Sequence, residues 1–296
     1  AYSNQKSEIY DHCNNQIRDR QNDVAKVEAT TDLTPDLVDR IARRVAGTYD
    51  PLFGGFGDNP KFPSAPILEF LCHMFRTTGE AFYSLMLEKT LDNMISKGIM
   101  DTLGKGFFRY TAGRDWTHVQ HEKMLEDNIG LVQVYTEAYS LLGKESYKNT
   151  AIATLDYIVE VLYDPKAKGL RGSQGAHSDY FGLPNDIRTG KEPPIPDPFC
   201  YSHLGASGAS MLMKTAWKLG RSDAASIGMD ILANLDQMAL AGNLRHAYNR
   251  NGTQASSSNN LLCDWSNLMN ALIDSAIYNP NDENAIIRAV STADHI

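Results

Sequence analysis

The amino-acid sequence predicts an all-α protein in which helical hairpins are repeated around a ring. Segments with the apolar spacing of helices recur along almost the whole chain of 296 residues. Few stretches alternate apolar and polar residues with the period of two that is typical of strands. A short motif also returns about every 60 to 75 residues, as in an array of similar structural units. These observations favour stacked helix pairs over a sheet-based fold.

The predicted helices follow one another along the chain. The first begins at Thr34, because Thr34 can cap a helix, Pro35 suits its first position and Asp36 complements its dipole. The second begins near Ser64. The others are predicted at about 80–97, 124–143, 151–162, 202–219, 223–240 and 262–278, and a ninth begins near Asn281. Between them, about 169–199 is a long irregular segment rich in proline, and such loops are usually functional or disordered. Short strands are expected only in loops, near 106–110 and 244–248.

The repeat consists of a helix, a glycine-rich loop, a second helix and a short turn. Thr90-Leu91-Asp92 is echoed by Thr154-Leu155-Asp156, and each precedes a Lys-Gly pair, at Lys105-Gly106 and at Lys168-Gly169. Helix pairs of this kind bury their faces on one another, and closing them into a ring leaves no unprotected end. We therefore expect the helix before each loop to lie outside the ring and the helix after it to lie inside.

Composition and charge argue against several classes of function. The formal net charge of -8 disfavours a nucleic-acid-binding protein, because phosphates require a basic surface. No window approaches 18 uninterrupted apolar residues, so no membrane span is predicted. No basic-then-apolar signal segment is visible, which leaves the compartment open with the cytoplasm favoured. A zinc knuckle or a redox dithiol is not expected either, since no C-x-x-C pair occurs among Cys13, Cys72, Cys200 and Cys263.

Three motifs carry a resemblance to a known family. They are Gly54-Gly55-Phe56-Gly57-Asp58-Asn59-Pro60-Lys61-Phe62-Pro63, then Gly106-Phe107-Phe108-Arg109-Tyr110 followed by Trp116, Glu122-Lys123-Met124-Leu125 and Asp127-Asn128, and finally the segment 262–276. In these motifs the sequence resembles the YyaL-type, spermatogenesis-associated thioredoxin-like proteins, over roughly residues 33–278.

The resemblance implies an (α/α)6 toroid of six helical hairpins, similar to N-acylglucosamine epimerases and six-hairpin glycosidases. About nine of the twelve helices are recognisable, so we expect an incomplete toroid at 33–296 that lacks its C-terminal hairpins. Family members typically carry a thioredoxin-like domain before the toroid, and residues 1–32 are interpreted as a linker or as the tail of such a domain. The implied partners are this covalently linked domain or a protein that completes the ring.

The candidate site lies in and just after the loops that precede the inner helices, because these loops gather at one mouth of a toroid. Carboxylates can bind sugar hydroxyls or act as acid and base, and aromatic rings stack on sugars. The predicted catalytic residues are Glu122, Asp127, His121 and His246. The predicted substrate-binding residues are Asp58, Lys61, Phe62, Arg109, Tyr110, Trp116, Asn128, Asp264 and Trp265.

Structural roles are the alternative for some of these residues. Arg109, Glu122 and Lys123 could simply tie loops to helix ends by charged hydrogen bonds. His203 is placed as favourably as His121 and His246. His118 and His121 have a spacing that metal ligands use, but a third ligand is not evident, so neither a metal nor a cofactor is predicted.

Departures from the family pattern leave two main hypotheses for the function. Gly113 stands where the family usually has Asp, Gln120 where it has His, and Gly175 begins the segment where it has an Asp-Ala-Asp turn. The first hypothesis is an enzyme that isomerises, epimerises or hydrolyses a small carbohydrate. The second is a catalytically degenerate scaffold or binding module that a partner chain completes. A third is an isolated fragment of a thioredoxin-linked protein.

Overall fold

Several of the helices that the structure describes come in pairs joined by short turns. The structure is a computed structural model that describes residues 5–26, 34, 36–249, 251, 259–279 and 282–295. Two units are distinguished, residues 1–47 and residues 48–296. The second contains α3 (Ala65–Thr78), α4 (Ala81–Ser96), α5 (Leu125–Leu142), α6 (Glu145–Tyr157), α7 (Ser178–Phe181), α8 (Asn185–Arg188), α9 (Ser202–Leu219), α10 (Ser222–Leu240), α11 (Leu262–Tyr278) and α12 (Ala285–Ala293).

The first unit contains α1 (Lys6–Lys26) and nearly all of α2 (Asp36–Thr48). Helix α2 was predicted, and the amide of Leu37 donates to the carbonyl of Thr34 at its start. Pro35 and the predicted start of the last helix at Asn281 lie outside the described residues. Helix α1 was not predicted; it occupies most of the segment that the sequence suggests is a linker or a tail, and its described side chains are almost all exposed.

Among the described residues of the second unit, the eight longer helices form four pairs, each of an inner and an outer helix. Helices α3, α5, α9 and α11 pack in that order, each against the next. Each also packs against the helix that follows it along the chain: α4, α6, α10 and α12. The predicted alternation of outer helix, loop and inner helix is therefore confirmed. Within the described residues these hairpins do not close into a barrel.

Glycine ends three of the inner helices in the same way. Gly79, Gly143 and Gly220 follow α3, α5 and α9 with φ near 70°, in the left-handed region that glycine adopts without a steric penalty. The amide of each glycine donates to a carbonyl in the last turn of its helix. The chain can therefore reverse within two residues, which brings each outer helix back along its inner partner.

Small residues allow α9 to sit among several neighbours. It packs against α5, α10 and α11. A side chain at Gly208 would lie 2.2 Å from Leu170 Cδ1, and one at Gly228 of α10 would lie 3.0 Å from the carbonyl oxygen of Ala209. Close approach at these positions buries the apolar faces that stabilise the hairpins. Among the described helices, none is long and apolar enough to cross a lipid bilayer.

Strands are short and are confined to the loops between hairpins. They are β1 (Tyr110–Thr111), β2 (Val119–Gln120), β3 (Lys123–Met124), β4 (Tyr163–Asp164), β5 (Gly169–Leu170), β6 (Ser173–Gln174), β7 (Cys200–Tyr201) and β8 (Ala247–Tyr248). Four antiparallel pairs form: β1 with β2, β3 with β6, β4 with β5 and β7 with β8. The short strands predicted near 106–110 and 244–248 are present at their C-terminal ends, and the irregular segment 169–199 contains β5, β6, α7 and α8.

Three buried aspartates, which we call the anchor aspartates, organise the loops. They are Asp50, Asp101 and Asp164. In each, Oδ1 accepts the backbone amides two and three residues later. Each Oδ2 lies within 2.8 Å of a cationic nitrogen from Lys61, Lys123 or Arg171, respectively. Arg114 also pairs with Asp50, and Arg188 with Asp101.

Candidate functional site

The inner helices surround one cavity, which we call the central cavity. Its volume is about 700 Å³, within the range of small-molecule sites. Helices α3, α5, α9 and α11 all contribute to its wall: Ala65, Pro66, Glu69, Glu126, Asp127, Ile129, Gly130, Gln133, His203, Leu204, Ser207, Ser210, Lys214, Asn267, Asn270, Ile273 and Asp274. The wall is therefore rich in carboxylates, amides and hydroxyls, which can bind the hydroxyl groups of a polar ligand.

Some of the polar groups in the wall already satisfy one another. Lys214 Nζ lies 2.8 Å from Asp274 Oδ2, and Ser210 donates to the same oxygen. Ser207 Oγ donates to Asn267 Oδ1 at 2.8 Å. These contacts link α9 to α11 and fix the orientation of their side chains. A ligand would therefore meet a polar surface that is partly organised in advance.

The carboxyl group of Asp127 has a raised pKa. Burial raises the pKa of Asp127, the charges of Glu126 and Glu122 raise it further, and Arg109 opposes them; the result is a pKa of about 6. A carboxyl group with such a pKa can hold or release a proton near neutral pH. Burial also raises the pKa of Glu69 across the cavity wall, whereas the charge of Lys214 lowers it.

A second group of side chains adjoins the central cavity through His203. Asp264 is fully buried, and both of its carboxylate oxygens lie 3.2 Å from His246 Nδ1. The backbone amide of His203 donates to Asp264 Oδ1 at 3.1 Å. The rings of His203 and His246 stack with their centroids 5.1 Å apart and an angle of 4° between their planes. Two histidines therefore share one buried carboxylate at the edge of the cavity.

The predicted site residues are divided between this region and the loops. Asp127 lines the central cavity, and His246 and Asp264 adjoin it through His203. The others are not among the residues of the cavity wall, and their catalytic or binding roles stay predictions. Gly113, Gln120 and Gly175, where the sequence departs from the family, are also not in the wall.

Several predicted residues hold loops together. Lys61 pairs with Asp50 at 2.7 Å, and Trp116 Nε1 donates to the carbonyl of Phe53 at 2.9 Å. Asn128 accepts from the amide of Phe107 and donates to its carbonyl, at 2.7 and 3.0 Å. Arg109 forms a 2.7 Å ion pair with Glu122. The pair of Arg109 with Glu122 is the kind of contact that the structural alternative for these two residues describes.

The remaining predicted residues lie in aromatic contacts or in solvent. The rings of Phe62 and Tyr110 pack 5.0 Å apart, and Trp265 stacks on His295 at 4.2 Å. His121 packs edge-on against Phe108, where burial lowers its pKa. The side chain of Asp58 is 82% exposed and lies 3.7 Å from Arg114.

Several residues of the cavity wall did not emerge from the sequence, because they lie inside helices and not in the loop motifs. They include Glu69, Gln133, Ser207, Lys214, Asn270 and Asp274. One signal was present: Ser207, Ser210 and Lys214 in α9, like Asn267, Asn270 and Asp274 in α11, are spaced three and four residues apart. This spacing places polar side chains on one face of a helix.

Comparison with known proteins places the chain among named relatives, although no family model matches it. Spermatogenesis-associated protein 20 of Mus musculus is 35% identical over 148 residues, which cover 44% of this chain and 18% of the relative. The protein of the same name from Rattus norvegicus is 30% identical over 219 residues, which cover 66% of this chain and 27% of the relative. The resemblance to spermatogenesis-associated proteins is confirmed. The match spans less than a third of these relatives' length.

Solved structures share the fold at low sequence identity. A sugar epimerase from a ruminal bacterium superimposes with a TM-score of 0.68 at 16% identity, covering 89% of this chain and 70% of that one. Cellobiose 2-epimerase from Spirochaeta thermophila gives 0.68 at 16%, covering 88% and 68%. A family 76 glycoside hydrolase (mannosidase) from Bacteroides thetaiotaomicron gives 0.61 at 13%, covering 86% and 66%. The predicted fold class, an (α/α)6 toroid of helical hairpins, is confirmed, and the described hairpins form an open part of one.

Proposed function

We propose that the central cavity binds a small carbohydrate and isomerises or epimerises it. The observation that carries the proposal is that all four inner helices contribute polar side chains to one cavity of about 700 Å³. Its size suits a ligand of one or two sugar rings. The sugar epimerases that share the fold support this choice, but a shared fold alone does not determine chemistry.

Asp127 is the group that we assign to proton transfer. Epimerisation at a carbon beside a carbonyl requires removal of a proton from that carbon and its return to the opposite face, and isomerisation returns it to the neighbouring carbon. A carboxyl group with a pKa of about 6 can accept this proton and give it back. Gln133 and Asn270 offer amide groups from two other parts of the wall to orient the sugar hydroxyls.

Hydrolysis of a glycosidic bond fits the cavity less well. It generally requires two carboxyl groups that flank the bond, one of them available as a proton donor. Asp274, a candidate for the second group, is held by Lys214 and Ser210. Both contacts are made by one carboxylate oxygen, which is therefore not free to meet a glycosidic bond. Isomerisation moves a proton between neighbouring carbons on one face of the sugar, so Asp127 can carry out this step alone, whereas epimerisation needs a second group on the opposite face. We therefore place isomerisation first.

The proposal is tested by solvent exchange. The chain is incubated in D2O with a panel of aldoses, ketoses and β-linked disaccharides, and NMR follows the hydrogen at C2. We expect deuterium to enter C2 of at least one sugar together with its epimer or its ketose. Release of free sugar from a disaccharide without exchange would assign hydrolysis instead. No exchange and no sugar-induced rise in Tm would contradict a carbohydrate site.

The pH dependence of the exchange should report Asp127. If its carboxylate removes the proton, kcat/KM should fall tenfold per pH unit below about 6, because the protonated form is inactive. If kcat/KM instead falls only below about pH 4, where an ordinary aspartate titrates, a group other than Asp127 removes the proton. Measuring the profile with C2-deuterated sugar as well checks that proton removal limits the rate.

A scaffold completed by another chain is the second candidate, and one surface favours it. Ile286, Ile287 and Val290 lie within five residues of one another on α12 and are exposed apolar side chains, as is Ile277 on the paired helix α11. Such a patch is typical of a surface that another element covers. In this case a helical hairpin of a partner chain would bind there, and Ile287→Lys should abolish a complex that sugar does not affect.

A further inference from the structure

Four side chains of three different types converge beside the central cavity. His203, His246, Cys263 and Asp264 each offer one nitrogen, sulfur or oxygen atom, and these four atoms all lie within 4.8 Å of one another. Ligands around a tetrahedral Zn²⁺ ion are roughly 3 to 4 Å apart, given bonds of about 2.0 to 2.3 Å. Side-chain rotations that move the atoms by about an ångström would therefore bring the set to coordination geometry.

The charge of Asp264 is balanced differently from that of the other buried aspartates. Asp50, Asp101 and Asp164 each lie against a lysine or an arginine. Among the described residues, no lysine or arginine pairs with Asp264, whose side chain is completely buried. Its ion-pairing partners among these residues are the imidazoles of His203 and His246. A buried carboxylate without a compensating charge is costly, and a bound cation would supply that charge.

His203 adds an unused donor atom. Its Nδ1 is buried and has no hydrogen-bond partner among the described residues, and its nearest acidic oxygen, Asp264 Oδ1, lies 3.6 Å away. Buried polar atoms rarely stay without a partner, and an unoccupied ligand position is one explanation. Cys263 is exposed, so an ion could reach the site from solvent past its thiol.

We propose that His203, His246, Cys263 and Asp264 bind one divalent transition-metal ion, with Zn²⁺ as the preferred ion. Two imidazoles, one thiolate and one carboxylate are ligands typical of Zn²⁺, whereas Mg²⁺ and Ca²⁺ prefer oxygen atoms alone. Binding would release the thiol proton of Cys263 to solvent. The inference goes beyond the proposed function and does not depend on it, because ion binding is measured without sugar. As a ligand, His246 would not act as the catalytic base that the sequence suggested.

The test begins with the metal-free chain. Zn²⁺ is titrated against a chromogenic chelator, and Co²⁺ is used as a spectroscopic probe because its spectrum reports tetrahedral geometry and a bound thiolate. We expect one ion per chain. Cys263→Ser should weaken Zn²⁺ binding at least tenfold and remove the thiolate band, and His246→Asn should weaken binding similarly. Cys263 is exposed, so its replacement should leave the fold intact, which the Tm checks.

The matched controls lie in α1, where His12 and Cys13 form an exposed pair of the same residue types. His12→Asn and Cys13→Ser should leave affinity and spectrum unchanged. Absence of Zn²⁺ binding by the unaltered chain would overturn the proposal. Binding that Cys13→Ser abolishes and Cys263→Ser does not would overturn it too, by assigning the ion to the exposed pair.

Discussion

Replacing Asp101 with asparagine is expected to lower the free energy of unfolding by about 3 to 5 kcal/mol. Asp101 Oδ2 lies 2.8 Å from Lys123 Nζ and 2.7 Å from an Arg188 nitrogen, and both cations are buried. Asparagine can still accept the turn amides of Leu103 and Gly104, but it leaves two buried positive charges without a counter-ion. Urea denaturation at pH 7 measures the loss.

A surface ion pair provides the control for this prediction. Glu160 pairs with Lys105 at 3.0 Å, but its side chain is 59% exposed. Glu160→Gln should therefore change the free energy of unfolding by less than about 1 kcal/mol. An equally small change in the free energy of unfolding for Asp101→Asn would show that the ion pairs of the anchor aspartates do not stabilise the loops.

The same carboxylate should make stability depend on pH. Burial alone would raise the pKa of Asp101, but the hydrogen bond from Arg188 and the charge of Lys123 lower it to about 2. Because the folded-state pKa lies below the unfolded value, this contribution is present above about pH 4 and is lost as the pH falls towards 2. We expect it to be roughly 2 kcal/mol and to be missing in Asp101→Asn.

Asp127→Asn should abolish turnover and stabilise the chain at the same time. If Asp127 transfers the proton, its loss should lower kcat by about 10² to 10⁴-fold. Its folded-state pKa of about 6 lies above the unfolded value, so the carboxylate destabilises the fold increasingly as the pH rises from about 4 to 6. Removing that charge should raise the free energy of unfolding at pH 8 by roughly 1 to 2 kcal/mol.

This pair of opposite effects distinguishes a functional carboxylate from a structural one. Asp179 is an exposed carboxylate that is not part of the cavity wall. Asp179→Asn should therefore change neither kcat nor the free energy of unfolding. A variant at Asp127 that lost both stability and turnover would indicate that the carboxylate supports the fold. One that kept full turnover would remove Asp127 from the mechanism.

The helices could be predicted closely because their signals are local. The segments predicted at 202–219 and 262–278 coincide with α9 and α11. The fifth helix fits less well: it was expected at 151–162, but α6 begins at Glu145 and ends at Tyr157, where a π-helical segment, Ile158–Leu162, takes over. The first turns of α6 are polar, so they show no apolar spacing that would predict a helix. The widened π-helical turn that follows α6 has no recognisable sequence pattern.

The site was harder to predict, because a loop motif does not reveal what its residues contact. Lys61, Trp116 and Asn128 stand in the most distinctive motifs, yet their side chains bind the loops themselves. The polar residues of α9 and α11 have helical spacing, but which face of an inner helix meets the cavity depends on its neighbours in the ring. The anchor aspartates had a visible pattern, since each stands five residues before a glycine that an apolar residue follows.

The anchor aspartates have a consequence for how such a ring can diversify. The cation that pairs with Asp164 comes from seven residues away, whereas the two cations that pair with Asp101 come from 22 residues away, at Lys123, and from 87 residues away, at Arg188. Each anchor aspartate forms the same kind of ion pair, although the segments between the paired residues differ greatly in length. Evolution can therefore lengthen or replace these loops, and so change which ligands they contact, while the helical hairpins that support them stay the same.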